Sequence, residues 1–153
     1  LITSIYMSTS GQSEHNWNLK RKYEQMGREI TDWQEVQAED AELLFVAYGI
    51  SSRLALSAVQ RLRHEGVPAG LLRPKTLFPF PSARLAELAE SGRLRDVAVV
   101  ELADGMMADD VRLSLPDRVD VHRLNWLGGE VPTTKMVLDE AARLIPALAP
   151  AAQ

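Results

Sequence analysis

Cysteine is absent from the 153 residues of this chain, and only three histidines are present. The lack of cysteine excludes disulfides, cysteine-ligated iron–sulfur clusters, zinc–thiolate sites and cysteine nucleophiles within the chain. Acidic side chains outnumber basic ones by 21 to 17, so the chain lacks the basic excess of a nucleic-acid-binding protein. No run approaches the ~20 apolar residues of a membrane span. We therefore expect neither a nucleic-acid nor a membrane partner.

Two nucleotide-binding motifs and a metal site are also missing. The loop after the first apolar run has one glycine where a dinucleotide fingerprint needs three, and no Gly-Lys-Ser/Thr occurs. His15, His64 and His122 are scattered, and none has an acidic neighbour at metal-ligand spacing. The sequence therefore predicts no metal site. Because the chain starts at Leu1 without a signal peptide, we expect it to be part of a longer protein.

From residue 41 onwards, short apolar runs alternate with helical patterns four times. The runs cover residues 43–48, 70–73, 96–102 and 119–124, and residues 30–34 are a further candidate strand. Continuous apolar runs are typical of strands buried on both faces, whereas the fourth run alternates in polarity, which favours a sheet edge. The alternation predicts an α/β fold with a mostly parallel sheet and helices on both sides.

Residues 1–28 differ in composition from the rest and form a predicted arm. Leu19, Tyr23 and Met26 share one face of a helix that we expect to end at Gly27. This face needs a partner, which is either the following domain or a second copy of the chain in a homodimer. We divide the chain into the arm at 1–28, an α/β domain at 29–146 and a flexible tail at 147–153.

The loops that follow parallel strands are where ligands collect, and polar residues there are the first site candidates. Ser51 or Ser52 either caps the next helix or, together with backbone N–H groups, holds an anion. Glu101 ends an apolar strand, so it is either buried with a partner, for which Arg73 is the first candidate, or exposed to a cleft. Glu101 and Asp104 together would form a carboxylate pair.

The segment 77–81 contains two phenylalanines and two prolines in five residues. Proline restricts the backbone, so this loop can present the rings of Phe78 and Phe80 at low entropic cost. Two interpretations stay open: the rings pack on the domain's own helices, or they form an interface.

Four ordered segments closely resemble the C-terminal domain of the alpha subunit of 2-oxoacid:ferredoxin oxidoreductases. They are residues 47–53, 71–81, 99–102 with 105–112, and 128–133, and the Arg-Pro-x-Thr-Leu-Phe-Pro-Phe-Pro stretch at 73–81 is the most specific. In the arm, residues 15–16 and 22–24 look like the branched-chain, 2-oxoisovalerate members.

The resemblance implies a fold like the transketolase C-terminal domain: three α/β/α layers around a five-stranded, mostly parallel sheet whose first strand is antiparallel. That strand would be residues 30–34. The resemblance also implies a cytoplasmic parent enzyme that decarboxylates a 2-oxoacid with thiamine diphosphate and Mg²⁺. This parent passes the acyl group to coenzyme A and the electrons through Fe–S clusters to ferredoxin, using beta, gamma and ferredoxin-like delta subunits.

None of these cofactors is expected in this chain, which has no cysteine and whose Ala103-Asp104-Gly105 is not the family's Gly-Asp-Gly motif. The chain is therefore predicted to have no catalytic, cofactor or metal residues and to organise subunits. Its strand-end loops would contact other domains or subunits through Ser51, Ser52, Arg73, Thr76, Phe78, Phe80, Glu101, Asp104 and Gly105. One alternative is a free-standing anion-binding module, and a third interpretation is an enzyme that uses the carboxylate pair.

Overall fold

The apolar runs form strands, and the amphipathic stretches between them form helices. The computed structural model describes residues 5–145. Within this range the strands are β1 (Trp33–Val36), β2 (Leu43–Ala47), β3 (Ala69–Pro74), β4 (Asp96–Glu101) and β5 (Asp120–Asn125). The helices are α1 (Thr9–Glu29), α2 (Gly49–His64), α3 (Ser82–Glu90), α4 (Met106–Ser114) and α5 (Thr134–Leu144).

The five strands form one mixed sheet in the order β1-β3-β2-β4-β5. Strand β2 pairs in parallel with both β3 and β4, and β5 pairs in parallel with β4. Strand β1 is antiparallel to β3, with Trp33 opposite Pro74. The predicted fold class is thus confirmed, including the antiparallel first strand and the position of the fourth apolar run at an edge. The first strand begins at Trp33, three residues later than predicted.

Alternate residues of the central strands build two hydrophobic layers, one on each face of the sheet. Phe45 packs with α2 and α5, whereas Leu44 and Val46 pack with α3 and α4. Both layers are fully buried at these positions. The regular alternation explains the unbroken apolar sequence of β2, because each face of this strand needs apolar side chains.

Helix α1 is longer than predicted and packs little against the domain. It begins after Ser8, whose hydroxyl accepts the Gly11 amide at 3.1 Å, and continues through Gly27 to Glu29. None of its residues is buried. Gly27 does not end the helix, because one glycine costs an exposed helix only about 1 kcal/mol. The predicted tail at 147–153 lies outside the described residues.

No helix between residues 5 and 145 combines the length and the apolar content that a bilayer span requires.

Candidate functional site

The loops that follow the parallel strands lie along one edge of the sheet, here called the carboxyl edge. Strands β3, β2 and β4 are neighbours, so the loops after them are adjacent. All nine predicted interface residues lie in these loops, at the strand ends or in the first turn of the next helix. Helix α1 also leads to this edge, because β1 starts opposite Pro74 at the end of β3. The structure therefore groups the predicted residues.

Glu101, the last residue of β4, is 1% exposed and caps α4. Its two carboxylate oxygens accept hydrogen bonds from the amides of Met107, at 3.1 Å, and Ala108, at 3.2 Å. These amides belong to the first turn of α4 and have no acceptor within the helix. The negative charge also offsets the positive end of the helix dipole. Glu101 is thus buried with a partner, as one of the two interpretations held.

The predicted partner of Glu101 was wrong. Arg73 lies on β3, and β2 separates β3 from β4, so the two side chains are not on neighbouring strands. Arg73 is exposed and makes no ion pair within residues 5–145. Sequence periodicity could not exclude this pairing, because it contains no information on strand order.

Gly105 follows the end of β4 and lies next to the guanidinium group of Arg123. Its φ of +86° lies in the left-handed region, which favours glycine. A Cβ atom at Gly105 would lie 2.8 Å from Nη1 of Arg123. Arg123 in turn forms an ion pair with Asp109 of α4. The role of Arg123 was not predicted from the sequence. The available signal was that Arg123 shares a face of β5 with Val121, which packs in the layer that contains α4.

Asp104 is exposed in the same loop, whereas both oxygens of Glu101 are buried and already bound to amides. A general acid or base must reach its substrate directly or through one water. The described geometry therefore gives Glu101 a capping role and does not favour the carboxylate-pair enzyme.

The loop after β3 is fastened to the residue that precedes β1. Thr76 Oγ1 accepts the Asp32 amide at 3.0 Å, and the Thr76 amide donates to the Asp32 carbonyl at 3.1 Å. Lys75 adds an ion pair of 3.1 Å with the Asp32 carboxylate. Thr76 therefore positions the loop, and its partner Asp32 was not identified from the sequence.

The two phenylalanines of this loop point in different directions. Phe80 is half-buried against the layer formed by α3 and α4, whereas Phe78 is 64% exposed. The ring of Tyr23 from α1 meets Phe78 edge-on, with centroids 5.4 Å apart. Phe80 thus packs inward, as the first interpretation held. Phe78 leaves aromatic surface exposed, and its place in an interface stays a prediction.

Neither serine of the loop after β2 caps its helix, so that interpretation was wrong. Helix α2 begins at Gly49, and Tyr48 precedes it without a side-chain capping bond. Gly49 has a φ of +56°, which lets the chain turn directly from β2 into the helix. Ser51 and Ser52 consequently lie inside the first turn, where Ser52 Oγ donates to the Gly49 carbonyl at 2.7 Å.

The three histidines do not come together. His15 contacts Tyr6 in the arm region, and His64 is the last residue of α2. His122 on β5 forms a hydrogen bond of 2.7 Å with Asp96, which is at the amino end of β4 and thus far from the carboxyl edge. Across residues 5–145, no group of three or more His, Asp or Glu side chains is placed to hold a metal ion.

Exposed apolar side chains are concentrated at the carboxyl edge. From residue 30 onwards, all the exposed large hydrophobic side chains of the described chain except Leu113 lie there. They are Ile30, Ile50, Leu77, Phe78, Leu102, Met106, Leu127 and Val131. Single exposed apolar residues need no explanation, but their accumulation at one end of the sheet favours an interaction surface there.

Comparisons with known proteins agree with this fold. A 2-oxoglutarate:ferredoxin oxidoreductase of Magnetococcus marinus, solved with 2-oxoglutarate, coenzyme A and succinyl-CoA bound, superposes with a TM-score of 0.73. That match has 19% identity and covers 90% of this chain and 24% of the other. A split-gene transketolase, an inactive beta4 tetramer, gives a TM-score of 0.60 at 20% identity, covering 74% of this chain and 41% of that one. Both likenesses concern the fold.

Sequence relatives identify the family. Subunit VorB of the ketoisovalerate oxidoreductase of Methanothermobacter thermautotrophicus is 43% identical over 140 residues, or 92% of this chain and 39% of that protein. Subunit KorA of the 2-oxoglutarate synthase of Methanothermobacter marburgensis is 34% identical over 111 residues, or 72% of this chain and 29% of that protein. The chain thus spans about two fifths of the length of VorB. Residues 41–137 match the family model described as pyruvate:ferredoxin oxidoreductase core domain II. This match covers more than half of the chain, and the chain therefore belongs to the family of pyruvate:ferredoxin oxidoreductase core domains II.

Proposed function

We propose that this domain organises a multi-subunit 2-oxoacid:ferredoxin oxidoreductase and that its carboxyl edge binds the other domains or subunits. The observation that supports this proposal is the set of exposed apolar side chains at that edge. Burying them against a partner would remove apolar surface from water, at about 25 cal/mol per Å². The longer relatives contain further chain that is available to supply such a partner.

The parent enzyme, in this proposal, is a cytoplasmic oxidoreductase that acts on a branched-chain 2-oxoacid such as 2-oxoisovalerate. The support is the identity with the ketoisovalerate oxidoreductase subunit. Its thiamine diphosphate, Mg²⁺, coenzyme A and Fe–S clusters would bind elsewhere in the complex. The residues of this chain do not fit the clusters, because the chain has no cysteine to ligate them.

Two exposed residues of α4 provide a matched test of the docking edge. Met106 starts the helix at the carboxyl edge and is 72% exposed, whereas Leu113, near the far end, is 88% exposed. The remainder of the parent subunit and its partner subunits are produced without this domain, and the domain is added in trans. Met106→Glu is expected to weaken the association at least about tenfold, because it forces a carboxylate into the contact.

Leu113→Glu introduces the same charge away from this edge and is expected to leave association unchanged. Binding is measured by size-exclusion chromatography and by calorimetry. Equal losses in the two variants, or none in either, would contradict the proposed edge.

A second test concerns activity. The isolated chain, supplied with 2-oxoisovalerate, thiamine diphosphate, Mg²⁺, coenzyme A and a one-electron acceptor dye, is expected to show no turnover. Turnover above that of a blank without protein would refute the organising role and revive the carboxylate-pair enzyme.

A further inference from the structure

The amino end of α2 is an open helix terminus near the middle of the sheet. The amides of Gly49, Ile50 and Ser51 have no acceptor within residues 5–145, and Tyr48 supplies no side-chain cap. A Cβ atom at Gly49 would meet no atom of more distant residues within 4 Å, and Gly49 and Ile50 are both exposed. The amino end of α2 therefore combines free N–H groups and the positive end of the helix dipole with two exposed residues.

A second, independent feature is the hydroxyl of Ser51. This residue is only 3% exposed, yet its Oγ makes no hydrogen bond within the described chain. Ser51 shares the sheet-facing stripe of α2 with Ala55 and Ala58, at i, i+4 and i+7. In residues 5–145, Asn125 Oδ1 is the only side-chain polar atom that has neither solvent contact nor a hydrogen-bond partner. Ser51 Oγ also has no partner, so it must keep some contact with solvent.

Burying a hydroxyl without a hydrogen-bond partner costs free energy, and a bound acceptor would remove this cost. The acceptor must be small, because Ser51 is almost completely covered. The neighbouring α4 shows which chemistry fits such a terminus, since its first-turn amides bind the carboxylate of Glu101. At α2 the chain supplies no such group of its own.

Arg73 adds positive charge near the end of the neighbouring strand β3. The register pairs Val46 with Leu72, so Arg73 is level with the last residue of β2, just before Gly49. It lies on the same face of β3 as Leu71, which packs in the layer that contains α2. Its guanidinium has no ion-pair or hydrogen-bond partner in the described chain. Ligands of open α/β sheets bind where the connections from two neighbouring strands diverge to opposite faces. Here the helices that follow β2 and β4 pack on opposite faces, so the amino end of α2 lies beside this point.

We propose that the amino end of α2 binds an oxyanion, namely the phosphate or carboxylate group of a small molecule. The amides of Gly49, Ile50 and Ser51 and the hydroxyl of Ser51 donate hydrogen bonds to it. Arg73 supplies the opposite charge. Arg53, exposed one turn further along α2, is a second cation without a partner within residues 5–145. The site lies on the proposed docking edge, and because it is tested on the isolated chain its test needs no protein partner.

The test is a titration of the ¹⁵N-labelled full chain, followed by amide chemical shifts, with inorganic phosphate and separately with acetate at constant ionic strength. Saturable shifts at residues 49–52 are expected with at least one of the two anions, and the ratio of affinities distinguishes phosphate from carboxylate ligands. Ser51→Ala and Arg73→Gln are each expected to weaken binding about tenfold.

Two control variants carry the same chemical changes elsewhere. Ser57→Ala removes an exposed hydroxyl of α2 that already bonds the Arg53 carbonyl at 3.2 Å. Arg95→Gln removes an exposed cation just before β4, at the amino ends of the parallel strands and away from the carboxyl edge. Both should bind like the parent chain. The proposal is overturned if no saturable shift appears, or if the controls weaken binding as much as the site variants. Neither result would affect the test of the docking edge, which measures protein association.

Discussion

At the scale of single residues, Glu101 shows how an apolar strand can end on a charge at little cost. Its carboxylate is buried but accepts two amides of α4, so strand and helix are joined through one side chain. Replacement by glutamine removes the charge and turns one acceptor into a donor that faces an amide. We expect Glu101→Gln to lower the free energy of unfolding by about 1–2 kcal/mol, measured by urea denaturation.

Asp104→Asn is the matched control for this change, because Asp104 is an exposed carboxylate three residues away. A surface substitution of this kind should alter stability by less than about 0.5 kcal/mol. If both variants unfold at the same urea concentration, Glu101 does not cap α4 in solution.

Gly105 and Arg123 offer a second residue-scale test, in which strain and steric contact can be separated. Gly105→Ala is expected to destabilise the chain by about 1–3 kcal/mol, mainly through the unfavourable positive φ, because the guanidinium end of Arg123 can move away from the added methyl group at small cost. Gly92 also has a positive φ, +72°, but open space around it, so Gly92→Ala should show the backbone cost alone.

Truncation of the neighbouring side chain in Gly105→Ala/Arg123→Ala should recover the part of the loss that is due to the contact. Calorimetric melting of the single and double variants measures this coupling. Additive losses in the double variant would show that the two residues do not interact.

The ion pair between Glu35 and Arg84 is expected to make the stability of the domain depend on pH. Its carboxylate accepts two hydrogen bonds from Arg84, at 2.7 and 3.0 Å, and these lower the pKa of Glu35 below its ordinary value in spite of partial burial. A carboxyl whose pKa is lower in the folded state contributes stability that is complete above its unfolded pKa of about 4.3. This contribution is lost as the pH falls through the folded pKa.

Glu35→Gln should therefore reduce the melting temperature at neutral pH and flatten its decline below about pH 4.3. Glu90→Gln, a change of the same type on the exposed side of α3, serves as the control and should keep the parent profile. Melting curves between about pH 3 and 7 test this prediction, and an unchanged acid limb in Glu35→Gln would contradict it.

At the scale of elements, α1 is the helix that packs least against the α/β domain. It buries no residue, and the contact between Tyr23 and Phe78 is a single aromatic pair. We therefore propose the boundary at residue 28 and expect a chain without residues 1–28 to melt within a few degrees of the full chain. Light scattering on both chains tests whether the arm pairs two copies. A large loss of stability in the shortened chain would show that α1 belongs to the domain.

The elements also show where sequence reasoning about the site reached its limit. The residues of the carboxyl edge were identified because apolar runs mark strand ends. Their local roles were harder to infer: Gly49 takes a positive φ that moves the start of α2 ahead of both serines, and Glu101 binds amides six and seven residues later. Backbone dihedral angles and backbone N–H groups produce almost no periodic pattern in the sequence, so neither local role could be predicted from it.

At the scale of the whole molecule, the class of fold followed from the alternation of strands and helices. The order of the strands did not, since β2 and β4 pair across three intervening elements, α2, β3 and α3. The antiparallel position of β1 came from the resemblance to a family, because β1 is short and only partly buried. The error over Arg73 and Glu101 has the same origin: alternation along a strand indicates its faces but not its neighbours.

The two hydrophobic layers share their strands, and this predicts a single cooperative unfolding transition. Trp33 packs against the layer with α3 and α4, whereas Trp126 packs against the layer with α2 and α5. One layer cannot loosen without freeing strands whose other face builds the second layer. In a chain without residues 1–28, variants that keep only Trp33 or only Trp126 report on each layer separately. Within each variant, fluorescence and circular dichroism should give the same urea midpoint. A fluorescence midpoint below the circular dichroism midpoint for either reporter would mean that this layer opens before the sheet.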